Sequence, residues 1–118
     1  MKKTIYSIVI LAVGVVVGIM IGSRLDHLVH IRFINNTSKD IEAILIEHKD
    51  GTEFINGIQN GNKKMANFYS KGETSYKTIV RFKDGSIVRK DDTYAEPGYR
   101  ITEVITDNGI RTIFGEIK

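Results

Sequence analysis

Cysteine and tryptophan are absent from this 118-residue chain, and proline occurs once. Without cysteine there is no disulfide framework, no thiolate nucleophile, no thiol for lipid attachment and no zinc site of the cysteine type. Any fold must rest on packing and strand pairing alone. An excess of one charge is also missing. The formal charge is +3 and the pI about 9.2, but removing Lys2 and Lys3 leaves 15 basic against 14 acidic side chains. That balance lacks the basic stripe of a nucleic-acid footprint, so no nucleic-acid partner is expected.

Catalytic signatures are missing as well. There is no G-x-S-x-G, H-E-x-x-H, Walker loop or G-x-G-x-x-G, and no pairing of a nucleophile with a base. Asp91-Asp92 and Asp84-Gly85-Ser86 lack the D-x-[DN]-x-[DN]-G spacing that wraps oxygens round calcium, and read as solvated turn acids. His27 and His30 are three apart, which on a strand points them to opposite faces. With His48, they read as surface histidines. No enzyme, metal or cofactor is expected. Asn35-Asn36-Thr37 has the form of a glycosylation sequon, but a strand-ending turn accounts for it.

What is present begins with an uncharged apolar run of 19 residues, Thr4 to Gly22, directly behind Met1-Lys2-Lys3. A helix needs about 20 apolar residues to cross a hydrocarbon core of about 30 Å. A cleaved signal is the competing reading, with a basic start and an apolar core of about 7–15 residues before a small-x-small site. The run here is long for that. The best cleavage positions, Val16-Val17-Gly18 and Ile21-Gly22-Ser23, each carry a branched residue where a small one is preferred. An uncleaved signal anchor is the favoured expectation. Arg24 and Arg32 are diluted by Asp26, so the positive-inside rule keeps the N-terminus cytoplasmic. The remainder of a bacterial chain would then be periplasmic, tethered to the inner membrane by a single pass.

Within the run, Gly14, Gly18 and Gly22 form two overlapping G-x-x-x-G units. Glycines four apart clear one helical stripe and let two backbones approach in lipid. The partner helix would be a second copy, giving a homo-oligomer, or a segment of another protein.

Residues 1–22 thus form the anchor, 23–28 a short connector, and 29–118 one small domain. From Leu28 the dominant period is two. Strands are expected at Leu28–Ile34, Ile41–His48, Glu53–Ile58, Met65–Tyr69, Ser75–Phe82, Ile87–Lys90, Tyr99–Thr106 and Ile110–Ile117. Asp50-Gly51, Asp84-Gly85 and Asn108-Gly109 mark hairpins. Asp91–Gly98 reads as a polar loop, with Pro97-Gly98 central in a type II turn. Seven or eight short strands without helical periodicity predict an all-β, immunoglobulin- or transthyretin-like antiparallel sandwich.

Two clusters stand out as partner-binding candidates. Tyr94, Glu96 and Tyr99 flank the proline turn, and tyrosines are enriched at binding hot spots. Tyr99 also suits a tyrosine-corner role at a strand start. The second cluster is Leu45 with Phe54 on the paired strand. The five apolar residues Ile41, Ala43, Ile44, Leu45 and Ile46 cannot all face one core. Either a second layer covers the outer face or an apolar patch awaits a partner.

The series Ile34–Ile41 (INNTSKDI), Gly72-Glu73-Thr74-Ser75 and Tyr94-Ala-Glu-Pro-Gly-Tyr99 resembles small, signal-bearing bacterial envelope proteins, a format that includes immunity proteins against secreted toxins. The resemblance implies an anchored periplasmic β domain that binds another protein, a toxin or an envelope-complex subunit. It carries no catalytic residue.

Overall fold

The computed structural model describes residues 27–115; the apolar run, its glycine stripe and the connector through Asp26 lie outside the described residues, as does 116–118. Eight strands follow one another: β1 (Leu28–Asn36), β2 (Ile41–His48), β3 (Gly51–Ile58), β4 (Lys63–Tyr69), β5 (Thr74–Phe82), β6 (Ile87–Ala95), β7 (Arg100–Thr106) and β8 (Gly109–Phe114). No helix occurs among the described residues. The strands form two four-stranded sheets, β4-β1-β7-β8 and β3-β2-β5-β6. The described residues are all-β and two-layered, as the alternation predicts.

Three hairpins stay within a sheet (β2–β3, β5–β6, β7–β8), while the other connections cross between layers. One expectation fails here. The sandwich is not wholly antiparallel, because β1 and β7 pair in parallel from His30↔Arg100 to Asn36↔Thr106. Parallel neighbours need a long crossover, and the entire second sheet together with β4 supplies it.

Alternation sends Val29, Ile31 and Phe33 of β1, Ile44 and Ile46 of β2, Tyr76 and Val80 of β5, and Ile101 and Ile105 of β7 between the sheets. Ile41 also reaches the core, because a bulge between Ile41 and Ala43 shifts the parity of β2.

Asn35 locks the far end of β1. Its amide donates to the Lys39 and Ile58 carbonyls at 2.8 Å each, and its Oδ1 accepts from the Thr37 amide (3.1 Å) and hydroxyl (2.7 Å). The side chain is completely buried. The sequon-like triplet is thus a structural turn.

Several local expectations need correction. Strand β6 runs on to Ala95, through residues read as a loop. Asp91 and Asp92 form a bulge opposite Lys77, with Asp92 at φ 57°. On an edge strand a bulge absorbs the extra residue and leaves the polar side chains in water. The hairpin loops also sit one residue earlier than expected: His48↔Gly51 and Thr106↔Gly109 pair, so the two-residue loops are Lys49-Asp50 and Asp107-Asn108. None of these four residues has positive φ, which rules out type I′. The proline turn is as expected, with Gly98 at φ 87° and the Tyr99 amide bonded to the Glu96 carbonyl at 3.0 Å.

His48 is no surface histidine. Its side chain is 6% exposed and stacks on Phe68 at 4.3 Å, with Nε2 3.3 Å from Glu53 Oε1. His30 lies on the opposite sheet, 2.9 Å from Asn67 Oδ1, and His27 packs edge-on against Tyr69. The turn acids are engaged locally. Asp84 accepts from the Ser86 amide (2.9 Å) and hydroxyl (2.5 Å) and pairs with Lys39 at 2.8 Å. The Lys39 bond, then those from Ser86, hold its carboxyl well below the usual range. Asp91 lies 3.6 Å from Arg89 and 3.9 Å from Lys77.

Candidate recognition face

Because strand residues alternate, the inward set of the β3-β2-β5-β6 sheet determines its outward set. With Ile44, Ile46, Val80 and Ile55 buried, Ala43, Leu45 and Ile79 point outward with Phe54. The registers Leu45↔Phe54 and Leu45↔Ile79 place three apolar side chains in one row across three strands, and Arg89 continues the row on β6. Phe54 is 59% exposed, and Ile87, in the adjacent row beside Arg81, is 60% exposed. No second layer covers this row among the described residues.

Charges around the patch are balanced. Arg81 pairs with Glu42 at 3.2 Å, and Asp91 lies near both Lys77 and Arg89. An apolar centre inside a rim of paired charge is the usual anatomy of a protein-binding surface.

The tyrosine cluster reaches the same face from its edge. Tyr94 pairs across from Ser75, an outward position of β5, and lies between the buried Thr93 and Ala95. Its hydroxyl donates to Glu96 Oε1 at 2.5 Å. That carboxylate is the main reason the Tyr94 phenol is pushed above its ordinary range. Tyr94 meets Tyr99 edge-to-face at 6.1 Å, and Tyr99 meets Phe114 in the same way at 6.1 Å. Tyr99 packs against the core, while Phe114 is mostly exposed. Partial burial, then Glu96, raises the Tyr99 phenol too.

Both clusters singled out in the sequence therefore border one sheet face. From Ile79 to Ser75 is about 13 Å along β5, and three inter-strand spacings measure about 14 Å. Such a patch fits inside the roughly 800 Å² that one partner buries in a standard interface. Replacing both Tyr94 and Glu96 with Ala should leave the thermal midpoint within about 2 °C of wild type, because these surface side chains are not embedded in the core. The same variant should bind a partner of this face more weakly. Thermal melts beside a binding titration check both statements.

The sequence reading missed Glu103. It lies on β7 between Ile101 and Ile105 at inward parity and is fully buried. The Tyr76 hydroxyl, from the other sheet, donates to Oε1 at 3.0 Å, and Oε2 has no partner among the described residues. Lys90 reaches across the open edge to bond the Thr112 hydroxyl, beside Glu103 on β8. Burial pushes the Glu103 carboxyl up, while Thr112, Tyr76 and the Lys90 charge pull the other way. Burial, then the Glu103 charge, pushes the Tyr76 phenol far up. The available signal was parity: a carboxylate at the i+2 position between two isoleucines of a central strand.

The fold is similar to that of a solved NMR structure of a protein from Eubacterium rectale, with a TM-score of 0.53 and 18% identity, covering 78% of this chain and 94% of that one. At that identity the likeness shows the fold alone. No family model and no curated protein matches the chain.

Proposed function

We propose that this chain is a membrane-anchored recognition domain that binds another folded protein through the outer face of its β3-β2-β5-β6 sheet. The observation that carries this reading is the uncovered row Phe54–Leu45–Ile79, set in a charge-balanced rim. The partner's matching surface is apolar and centred on a pocket for Phe54, since hot spots concentrate where aromatic anchors are desolvated. Tyr94, Glu96 and Tyr99 extend the contact at the sheet edge.

The strand order favours the transthyretin-like member of the expected pair of sandwiches. In immunoglobulin constant domains the sheets read ABED and CFG, whereas here the first strand lies between the fourth and the seventh. The anchor is the apolar run Thr4–Gly22, with the N-terminus cytoplasmic and the β domain periplasmic. The sequence resemblance to small envelope proteins gives the role a concrete form, in which the domain occludes an incoming toxin as an immunity or exclusion protein. The stripe Gly14, Gly18 and Gly22 favours a second reading, an accessory subunit packed against a larger membrane protein or a second copy.

The test is affinity capture with the intact chain in membranes, comparing wild type with Phe54→Asp. An outward substitution costs the fold only about 0.5 kcal/mol. A specific partner should be retained by wild type and lost from the variant, with unchanged circular dichroism. Equal retention by both would remove the row from the interface.

A further inference from the structure

We propose that Lys90 and Glu103 form a proton-controlled latch across the open side of the sandwich, where edge strands β6 and β8 face each other. When Glu103 loses its proton, the Lys90 ammonium turns from the Thr112 hydroxyl onto the free Oε2 and ties β6 to β7. The latch needs no protein partner. Only its consequence for binding rests on the recognition face proposed above.

The device starts in the backbone. Lys90 and Thr93 are three apart, which on a regular strand sends them to opposite faces. The bulge at Asp91-Asp92 turns both inward. Thr93 pairs with Tyr76 and is buried, while Lys90 pairs with the buried Thr78 and is half-buried. Directly opposed residues of an antiparallel pair share a face. The Lys90 side chain reaches over the gap between the sheets, and its ammonium donates to the Thr112 hydroxyl of β8. Thr112 is the register partner of Glu103, and its hydroxyl also bonds the Glu103 carboxyl. One hydroxyl thus bridges a cation at the rim and an acid in the interior.

Around that acid, hydrogen-bonding capacity is left over. Tyr76 donates to Glu103 Oε1, but Oε2 and the hydroxyls of Thr78 and Thr93 have no partner among the described residues. Glu103 is the one acid among the buried described residues. The titratable groups that face it are Tyr76 from β5 and Lys90 from β6. Strand β8 brings Thr112, and β1 brings Phe33, opposite Glu103 in the parallel pair. Lys77, Arg89 and Asp91 lie on the outer side of their sheet, and His48, paired with Tyr76, is held by Phe68 and Glu53. Lys90 is therefore the cation placed to answer a charge on Glu103. A neutral carboxyl attracts an ammonium weakly, so with Glu103 protonated Lys90 rests on Thr112. An ionised carboxyl buried without a cation is costly, and Lys90 is one hydroxyl away.

Burial holds the Glu103 pKa above the usual carboxyl range. The latch closes as pH rises through that raised value and releases as pH falls through it. Strand β6 carries Ile87, Arg89 and Tyr94 along the border of the recognition face, so the proton sets how firmly that border is held.

The test follows the Glu103 side-chain carboxyl by carbon-detected NMR against pH. It uses the full chain in detergent micelles, with the signal assigned by its absence from Glu103→Gln. In Lys90→Met the titration midpoint should rise by about half a pH unit or more, because the ionised form loses its cation. Lys90→Arg should bring the midpoint back toward wild type. Arg89→Met, on the same strand but pointing outward, should leave it unchanged. Amide exchange of β6, corrected for its intrinsic pH dependence, should slow as wild type passes through the midpoint and show no such step in Lys90→Met. An unchanged midpoint in Lys90→Met would overturn the proposal, as would equal shifts from Lys90→Met and Arg89→Met. A Glu103 carboxyl that never titrates in the folded protein would overturn it too. The midpoint is read without a partner, so failure of the recognition face in the Phe54→Asp capture leaves this result standing on its own.

Discussion

Asn35→Ala should destabilise the domain by roughly 3 kcal/mol or more, whereas Asn36→Ala, one residue away, should cost under about 0.5 kcal/mol. Asn35 is fully buried and makes four hydrogen bonds, two donated to the Lys39 and Ile58 carbonyls and two accepted from Thr37. Alanine strips donors from two carbonyls and an acceptor from a buried amide and hydroxyl together. Each buried group left unsatisfied costs about 1–3 kcal/mol. Asn36 is exposed and carries no comparable load. Asn35→Asp keeps the acceptor for Thr37 but loses both donors and turns a buried carboxyl oxygen toward the Lys39 and Ile58 carbonyls, so at neutral pH it should cost at least as much as Asn35→Ala. Urea unfolding of the three variants should leave Asn36→Ala near wild type and both Asn35 variants far below it.

The second large effect concerns pH. Burial raises the Glu103 pKa in the folded state, so the native protein holds that proton more tightly than the unfolded chain does. Stability from this group is therefore present below the unfolded carboxyl range, near about pH 4.3. It falls as pH rises from there through the folded pKa, where the native state must ionise a buried carboxyl. Glu103→Gln removes that loss. The variant should match wild type near the unfolded pKa and become progressively more stable than wild type toward neutral pH. Asp84 runs in the opposite sense, since its lowered pKa contributes stability that disappears as pH falls. The difference between Glu103→Gln and wild type, rather than the raw melting curve, isolates the buried group. Tyr76→Phe should cost about 1–3 kcal/mol at neutral pH, because it strips the donor from Glu103 Oε1. A constant difference between Glu103→Gln and wild type across this pH range would contradict the assignment.

These two residues also mark what the sequence could convey. Strand β5 was legible because alternation over nine residues, with one face buried, leaves no other register that hides the apolar set. Strand β6 was not, because a bulge at Asp91-Asp92 on an edge strand writes the same polar letters as a loop. The assignment of strands to two sheets, and the parallel β1–β7 pair, depend on contacts between residues about 70 apart, which no local pattern encodes. His48 looked like a turn residue, yet its ring is buried by Phe68, twenty positions on.

For the candidate site, local pattern went further. Excess apolar residues in Ile41–His48 announced an outward row, because a strand has only two faces. Pairing supplied what the one-dimensional reading lacked: Ile79 joins Leu45 and Phe54 from β5, and Tyr94 stands on the same face.

The central claim is that the β3-β2-β5-β6 face meets a protein partner. Site-specific photo-crosslinking in native membranes tests it most directly, with a photoreactive phenylalanine analogue placed at Phe54 or at Met65 of the full chain. The account predicts a discrete protein adduct from position 54 that disappears when Leu45→Asp is added, and no such adduct from position 65, on the opposite sheet face. The contrary result is no protein adduct from position 54, or the same protein adduct from both positions.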